Sequence, residues 1–280
     1  MILGFIGLGL IGGSLAMGLS GFEDAQIFGV DRDADTRAQA MARATVCAAY
    51  EDAAQAPLEE ADVVFVCLHP EACVDFLRAH GARLKPGAVL TDVCGVKKPI
   101  VEAAEAYLPP EAAYIGGHPM AGRECGGFPN ANGALFQGAH YILVPTGRTT
   151  AQAEALLRRM IAYIGCRDVI VTDAQTHDRR IAYTSQMMHV LAVAICDQAQ
   201  LMPSKGFEGG SFRAATRVAA LDARLWTELF WANREALADQ TEELIEKLSA
   251  YAALLRGDDR QALFERLEES AGRKHTYNRL

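Results

Sequence analysis

The chain has 280 residues, of which 50% are hydrophobic and 22% charged, so it is long enough for one large or two ordinary domains with a substantial core. Its formal net charge of −8 argues against a nucleic-acid or anionic-membrane partner. The seven cysteines are odd in number and form no C-x-x-C pair, which is typical of reduced thiols in a cytoplasmic protein.

The first 22 residues contain no charged side chain, and such a run is long enough to span a membrane. Its high glycine content, with no basic segment before it and no cleavage motif after it, argues against an anchor or a signal peptide. The alternative is a buried strand over residues 2–6, then a turn that opens a helix over residues 10–19. We therefore expect a nucleotide-binding turn here and no membrane association.

The predicted turn carries a G-x-G-x-x-G motif. Its first glycine allows the tight turn, the second lets the backbone approach a pyrophosphate, and the third lets the helix pack closely on the strand. A second strand is predicted over residues 26–30, and the carboxylate that follows it, Asp31, is placed to bind ribose hydroxyls. The predicted cofactor-binding residues are Gly7, Leu8, Gly9, Leu10, Ile11, Gly12, Asp31, Arg32 and Leu68.

The cofactor itself follows from the charge at the end of the second strand. Asp31 would repel a 2′-phosphate, which favours NAD over NADP. Arg32 adjoins it and could hold such a phosphate, although a solvated or adenine-stacking side chain is the simpler interpretation. We therefore expect NAD.

The first half of the chain continues to alternate short apolar runs with helical patterns. Strands are predicted over residues 62–68, 88–92, 114–115, 141–144 and 168–171, and helices over residues 33–43, 71–80, 97–107 and 151–164, with a long glycine-rich loop after residue 115. This alternation predicts an α/β fold with a doubly wound parallel sheet of the Rossmann type. Ligands are then expected at the carboxyl ends of the strands.

From residue 173 onward the pattern is helical only, with helices predicted over residues 174–201, 212–220, 222–248 and 259–272. Residues 182–199 are apolar on nearly all sides, and such a helix has to be buried between domains or against another subunit. We therefore predict a dinucleotide-binding domain over residues 1–172 and an all-α substrate and dimerisation domain over residues 173–280. The expected assembly is a homodimer through the second domain.

His118 is the most conspicuous candidate for chemistry. Two glycines precede it and Pro119 follows it, so the side chain is predicted in a loop at a strand end, over the nicotinamide side of the cleft. Polar residues held in such loops are more often functional than buried ones. The chain has no H-E-x-x-H motif and no histidine pair four residues apart, so no metal site is expected.

Several motifs occur in one order across nearly the whole chain. They are the glycine turn with Asp31, D-V-C-G-V-K at 92–97, G-H-P-M-A-G at 117–122 with Glu124, H-D at 177–178, S-x-x-x-H at 185–189, and F-R-x-x-T-R at 212–217 with Trp226. Together they resemble the prephenate dehydrogenase family of tyrosine biosynthesis. The resemblance implies oxidative decarboxylation of prephenate with NAD as hydride acceptor. The alternatives within the family are arogenate dehydrogenases and dual-specificity cyclohexadienyl dehydrogenases.

The resemblance also implies roles for individual residues. His118 matches the base that accepts the substrate hydroxyl proton, and Arg217 matches the clamp for a substrate carboxylate. His189 matches a second histidine that reaches the substrate, and Lys97 is expected near the substrate or the cofactor amide. Asp178 and Glu124 match members of an ionic network at the pocket mouth. The predicted substrate contacts are Cys94, Gly95, Arg123, Glu124, Asp178 and Arg213.

Two positions depart from the family's pattern. Relatives carry Ser directly before the Val-Lys pair, where this chain has Gly95, so Cys94, a water or a backbone N–H must supply the missing hydrogen bond. Arg123 stands where relatives carry a small residue. A cation facing the pocket would favour prephenate, whose side chain is purely anionic, over the zwitterionic side chain of arogenate.

Two other classes of protein share part of this pattern. β-Hydroxyacid dehydrogenases use a lysine on the long interdomain helix, and no lysine occurs between Lys98 and Lys205, so that class lacks its catalytic group here. A regulatory protein that binds NAD without turnover remains open, because a fold alone does not determine activity.

Overall fold

The computed structural model describes residues 1–123 and 125–279. Its first part is an eight-stranded sheet that carries five helices. The strands are β1 (Ile2–Ile6), β2 (Gln26–Val30), β3 (Ala48–Tyr50), β4 (Val63–Val66), β5 (Val89–Asp92), β6 (Ala113–Pro119), β7 (His140–Pro145) and β8 (Asp168–Val171). The helices are α1 (Leu10–Gly18), α2 (Ala34–Ala42), α3 (Pro70–His80), α4 (Lys98–Tyr107) and α5 (Ala151–Tyr163).

The central strands are apolar because both faces of the sheet are covered. Leu3 and Phe5 of β1 are fully buried in the core on one face, where the Phe5 ring stacks on Phe65 at a centroid distance of 4.9 Å. Val64 and Val66 of β4 are fully buried in the core on the other face. Strands buried on both faces read as continuous apolar runs, which is the pattern that predicted them.

The strand order is β3-β2-β1-β4-β5-β6-β7-β8. β1 pairs in parallel with both β2 and β4, so the chain changes its direction of travel across the sheet beside β1. In a doubly wound sheet this switch point opens a crevice at the carboxyl ends of the strands. The prediction of a Rossmann-type sheet is therefore confirmed.

The sheet differs from the prediction at β6. This strand runs on to residue 119 and pairs antiparallel with β7, with His118 opposite Ile142. The two glycines at 116 and 117 hid the strand, because glycine has low β-propensity. His118 therefore lies on a strand and not in the predicted loop. β3, which was not predicted, is an edge strand of three residues.

The second part of the chain is all helical, as predicted. Its helices are α6 (Ala174–Ile181), α7 (Met187–Cys196), α8 (Gly210–Thr216), α9 (Ala223–Ala232), α10 (Arg234–Arg256) and α11 (Arg260–Tyr277). No helix of the described residues is both long and apolar enough to cross a membrane.

Two of the predicted helices are interrupted. A π-helical turn at Ala182–Gln186 separates α6 from α7, and Asn233 separates α9 from α10. The Asn233 amide donates to the Asp178 carbonyl at 2.8 Å and to the Gln186 side-chain oxygen at 2.7 Å. This buried side chain thus connects the two interruptions, which a helical period in the sequence does not reveal.

Candidate active site

The glycine turn after β1 has the geometry that its motif predicts. Gly7 has a φ of +92°, and a Cβ there would lie 2.5 Å from the Cys67 carbonyl oxygen. A Cβ on Gly12 would lie 1.9 Å from the Gly7 carbonyl oxygen. A Cβ on Gly9, in contrast, would meet no atom within 4 Å. Gly7 and Gly12 are therefore required by packing, while Gly9 faces open space at the N-terminus of α1, where backbone N–H groups favour an anion.

Asp31 closes this turn from β2. Its carboxylate accepts hydrogen bonds from the backbone N–H of Leu8 and of Asp33, both at 2.9 Å, and a carboxylate has further lone pairs for ribose hydroxyls. The prediction for Leu8 is not supported, because its N–H points to Asp31 and its side chain is fully buried. Arg32 is exposed beside the carboxylate.

A cavity of about 690 Å³ lies between the carboxyl edge of the sheet and the helices α7 and α9. It brings together predicted residues from six separate parts of the chain. Those that line it are Gly9, Leu10, Ile11, Leu68, Cys94, Gly95, His118, Arg123, His189 and Arg217. The cofactor turn and the candidate substrate residues therefore share one space.

His118 projects from β6 into this cavity and is half-buried. Its Nδ1 lies 2.9 Å from Nε2 of His177, whose own Nδ1 lies 2.7 Å from Oδ1 of Asp178. Burial, followed by the neighbouring His177 and Lys97, holds the pKa of His118 well below its usual range. The imidazole is therefore neutral at neutral pH, as a general base must be.

His189 and Arg217 line the cavity from the helical part of the chain. Nδ1 of His189 donates to the Val218 carbonyl at 3.2 Å, and its ring lies 3.5 Å from the Trp226 ring between centroids. Arg217 begins the short helical turn that contains Val218, so both side chains are placed by the same segment. Burial lowers the pKa of His189, which leaves it neutral for hydrogen bonding.

Lys97 does not lie at the substrate, which corrects the prediction made for it. Its side chain is completely buried and pairs with Asp92. Asp92 also accepts from the Tyr114 hydroxyl at 2.8 Å and from the Cys94 N–H at 2.9 Å. A buried ammonium is costly unless a carboxylate pairs with it, so this lysine serves the packing behind the cavity.

Three further predicted residues lie elsewhere than expected or outside the described chain. Asp178 is buried and does not line the cavity mouth, because its two oxygens accept from the Lys97 and Lys98 N–H groups at 2.7 and 2.9 Å. These groups begin α4, where a helix dipole favours a carboxylate. Arg213 is exposed on α8 and is not part of the cavity lining. Glu124 lies outside the described residues.

The space beside Gly95, where relatives carry a serine side chain, is partly occupied by a neighbouring helix. A Cβ on Gly95 would lie 3.3 Å from Cδ2 of Leu229, so the α9 side chain takes the adjacent space. The Cys94 thiol donates to the Leu68 carbonyl at 3.4 Å. Cys94, which lines the cavity, a water and a backbone N–H stay the three candidates that could replace the serine hydroxyl.

Sequence reasoning missed two residues of this site. His177 appeared only as part of the H-D motif, because its contact with His118 spans 59 positions and has no local signal. Leu229 had no signal, because an apolar residue on an amphipathic helix is expected in any core.

The fold and the cavity define a dinucleotide-dependent dehydrogenase that combines a Rossmann-type sheet with a helical second part. The model of the prephenate dehydrogenase nucleotide-binding domain matches residues 16–172, and that of the prephenate dehydrogenase dimerization domain matches residues 173–269. The chain belongs to the prephenate dehydrogenase family.

Individual relatives agree with this assignment. The cyclohexadienyl dehydrogenase of Zymomonas mobilis is 32% identical over 95% of this chain and 92% of its own length. The prephenate dehydrogenase of Bacillus subtilis is 29% identical over 92% of this chain and 71% of its own length.

Solved structures of the family superpose over nearly the whole chain. Prephenate dehydrogenase from Aquifex aeolicus, in complex with hydroxyphenyl propionate and NAD+, has a TM-score of 0.90 and 25% identity, covering 99% of this chain and 98% of its own. Arogenate dehydrogenase from Synechocystis has a TM-score of 0.84 and 28% identity, covering 99% of this chain and all of its own.

Proposed function

We propose that this chain is an NAD-dependent prephenate dehydrogenase, which converts prephenate to 4-hydroxyphenylpyruvate and CO2. The observation that carries the proposal is the placement of a neutral imidazole, His118, in the same cavity as the glycine turn and the Arg217 guanidinium. Family membership supplies the substrate class.

The residues around the glycine turn fit NAD. Gly9 leaves room for a pyrophosphate at the start of α1, and Asp31 offers a carboxylate to the ribose and repels a 2′-phosphate. Leu10, Ile11 and Leu68 continue the same wall of the cavity. Held by these residues, NAD would supply the hydride acceptor that the reaction needs.

The chain's own residues supply proton transfer and orientation. His118 accepts the proton of the C4 hydroxyl while the hydride leaves C4. The bond from the ring to the departing CO2 then provides the electron pair that makes the ring aromatic, which renders the reaction irreversible. The His118 imidazolium returns its proton to the resulting phenolate oxygen, which gives the phenol of the product. Arg217 holds a substrate carboxylate by a bidentate pair, and His189 contributes a hydrogen bond from the same wall.

The charge of the cavity favours prephenate over arogenate. Arg123 lines the cavity in addition to Arg217, and a cation stabilises an anionic pyruvyl side chain better than a zwitterionic one. Arogenate, or both substrates, is the second candidate, because the similar proteins include an arogenate dehydrogenase and a cyclohexadienyl dehydrogenase.

The proposal extends to domain organisation, assembly and location. β8 ends at Val171 and α6 begins at Ala174, which supports a domain boundary between residues 172 and 173. A homodimer through residues 173–280 is supported by the match to the family's dimerization domain. All seven cysteines are free thiols, which supports a reducing, cytoplasmic environment.

The test is a direct assay of the purified chain with NAD and prephenate, in which the absorbance of NADH reports turnover. We expect turnover with prephenate to exceed that with arogenate, and turnover with NAD to exceed that with NADP. His118→Asn should lower kcat by about 10²- to 10⁴-fold, the usual contribution of a positioned general base. Binding of NAD without any NADH formation would instead support the regulatory alternative.

A further inference from the structure

The His118 and His177 rings form a hydrogen-bonded chain that ends on Asp178. The distances are 2.9 Å between His118 Nδ1 and His177 Nε2, and 2.7 Å between His177 Nδ1 and Asp178 Oδ1. The His177 side chain is completely buried, and buried polar atoms require partners within the protein. The Asp178 carboxylate at one end of this row of hydrogen bonds therefore determines which nitrogen of each histidine carries the proton.

The Asp178 carboxylate fixes the position of the first proton. Asp178 already accepts from the N–H groups of Lys97 and Lys98, and a carboxylate only accepts hydrogen bonds. The proton between Asp178 and His177 consequently belongs to His177 Nδ1. Nε2 of a neutral His177 is then an acceptor, so Nδ1 of His118 must donate to it. The lone pair of His118 is left on Nε2, the nitrogen that His177 does not engage.

The His118 and His177 rings are both neutral at neutral pH. Burial is the largest cause that lowers the pKa of His118 and of His177. A protonated His177 would donate to His118 Nδ1, so the single ring proton of a neutral His118 would lie on Nε2, where it would block the base. The structure thus holds the one arrangement that leaves the cavity-facing nitrogen free.

We propose that His177 is a positioning residue that keeps His118 in the tautomer whose Nε2 lone pair is available to the substrate, and that Asp178 stabilises the imidazolium formed when His118 takes the hydroxyl proton. The kinetic part rests on the proposed function, but the tautomer does not. The chain of bonds also crosses the fold. His177 and Asp178 lie on α6 while His118 lies on β6, so the docking of α6 sets the protonation of the base.

The tautomer is measured directly by NMR of the full chain labelled with ¹⁵N-histidine, without substrate. Two-bond couplings to the ring carbons' protons identify which nitrogen of His118 carries the proton, with His118→Asn providing the assignment. We expect the proton on Nδ1 in the wild type and a shift of the population toward Nε2 in His177→Asn. A proton on Nε2 in the wild type, or the same tautomer in both proteins, overturns the proposal.

Two substitutions of His177 distinguish a hydrogen-bond relay through His118, His177 and Asp178 from a role of His177 in packing alone. Gln is long enough for its amide oxygen to accept from His118, whereas Asn retains the contact with Asp178 but ends short of His118. We expect His177→Asn to lower kcat by about 10²-fold with KM for prephenate within about 3-fold, and His177→Gln to remain within about 10-fold of the wild type. Thermal unfolding and NAD binding provide the controls for folding.

Equal losses of kcat in the Gln and Asn variants, or full kcat in the Asn variant, contradict the relay. If the wild type does not turn over prephenate at all, the proposed function fails, while the NMR result still decides the tautomer.

Discussion

At the level of single residues, burial of His118 sets the pH range in which this imidazole acts. Its pKa is held well below the usual value by desolvation and by His177 and Lys97, so it stays neutral as the pH falls through about 6.5. We expect kcat/KM to remain level there and to decline only at lower pH. A pH profile of kcat/KM checks this, and a decline centred at or above about pH 6.5 would contradict it.

The same shift predicts how stability depends on pH. The unfolded chain takes up a proton on His118 at about pH 6.5, and the folded chain does so only at lower pH, so the unfolded state binds more protons in this window. The contribution to stability is therefore present above about pH 6.5 and is lost as the pH falls below it. We expect the Tm to drop more between about pH 7 and pH 5.5 in the wild type than in His118→Asn.

Two arginines of one segment provide a matched pair. Arg217 lines the cavity and Arg213 is exposed outside it. We expect Arg217→Ala to raise KM for prephenate by about 10-fold or more, since a charged hydrogen bond is worth about 1.5–3 kcal/mol, and Arg213→Ala to leave KM nearly unchanged. Steady-state kinetics with saturating NAD measure both, and the reverse order would show that the clamp is misassigned.

At the level of elements, the glycine turn separates packing from cofactor binding. A Cβ on Gly12 collides with the Gly7 carbonyl at 1.9 Å, whereas a Cβ on Gly9 meets nothing. We expect Gly12→Ala to destabilise the fold by about 1–3 kcal/mol or more, because α1 must shift. Gly9→Ala should unfold like the wild type but bind NAD at least about 10-fold more weakly, since the pyrophosphate approaches this backbone.

Calorimetric unfolding and NAD titration of the two variants check this pair. If a well-folded Gly9→Ala variant binds NAD as tightly as the wild type, the pyrophosphate does not bind at the glycine turn.

The π-helical turn between α6 and α7 is a feature that the local helical pattern of the sequence does not predict. The helical period extends without a break through residues 174–201, yet the chain forms a π-helical turn at Ala182–Gln186. π-Turns occur frequently at functional sites, and here Ser185 and Gln186 line the cavity. The extra residue in this turn changes which side chains of α7, including His189, face the cavity.

At the level of the whole molecule, the helical part leaves much apolar surface uncovered within one chain. Large hydrophobic side chains on α10 and α11 have more than half of their surface exposed: Ile245, Leu248, Leu255, Phe264 and Leu267. Contiguous exposed apolar surface usually marks an interface. This surface supports the proposed homodimer.

We expect the wild type to have twice the chain mass of 30.2 kDa by light scattering. The double substitution Leu255→Glu with Phe264→Glu should shift it toward the monomer, because charges are excluded from an apolar interface core. Met41→Glu, at a side chain that is 45% exposed on α2, is the control and should remain dimeric. If the double variant keeps the mass of the wild type, the interface does not lie at these residues.

The sequence by itself determined the features that depend on local spacing. The glycine turn, the alternation of strands and helices, and the candidacy of His118 follow from residues within a few positions of one another, and Asp31 follows from its spacing of 19 residues after Gly12. Backbone conformation and the burial of a strand are set largely over that range, so a local pattern of residues is enough to predict these features.

The tertiary structure alone decided which side chains meet. His177 reaches His118 across 59 positions, and Asp178 reaches the Lys97 N–H across 81. Lys97 turns inward to Asp92 although only five positions separate them. Such pairings depend on how α6 docks on the sheet and on which charges the core must neutralise, and no local pattern encodes either.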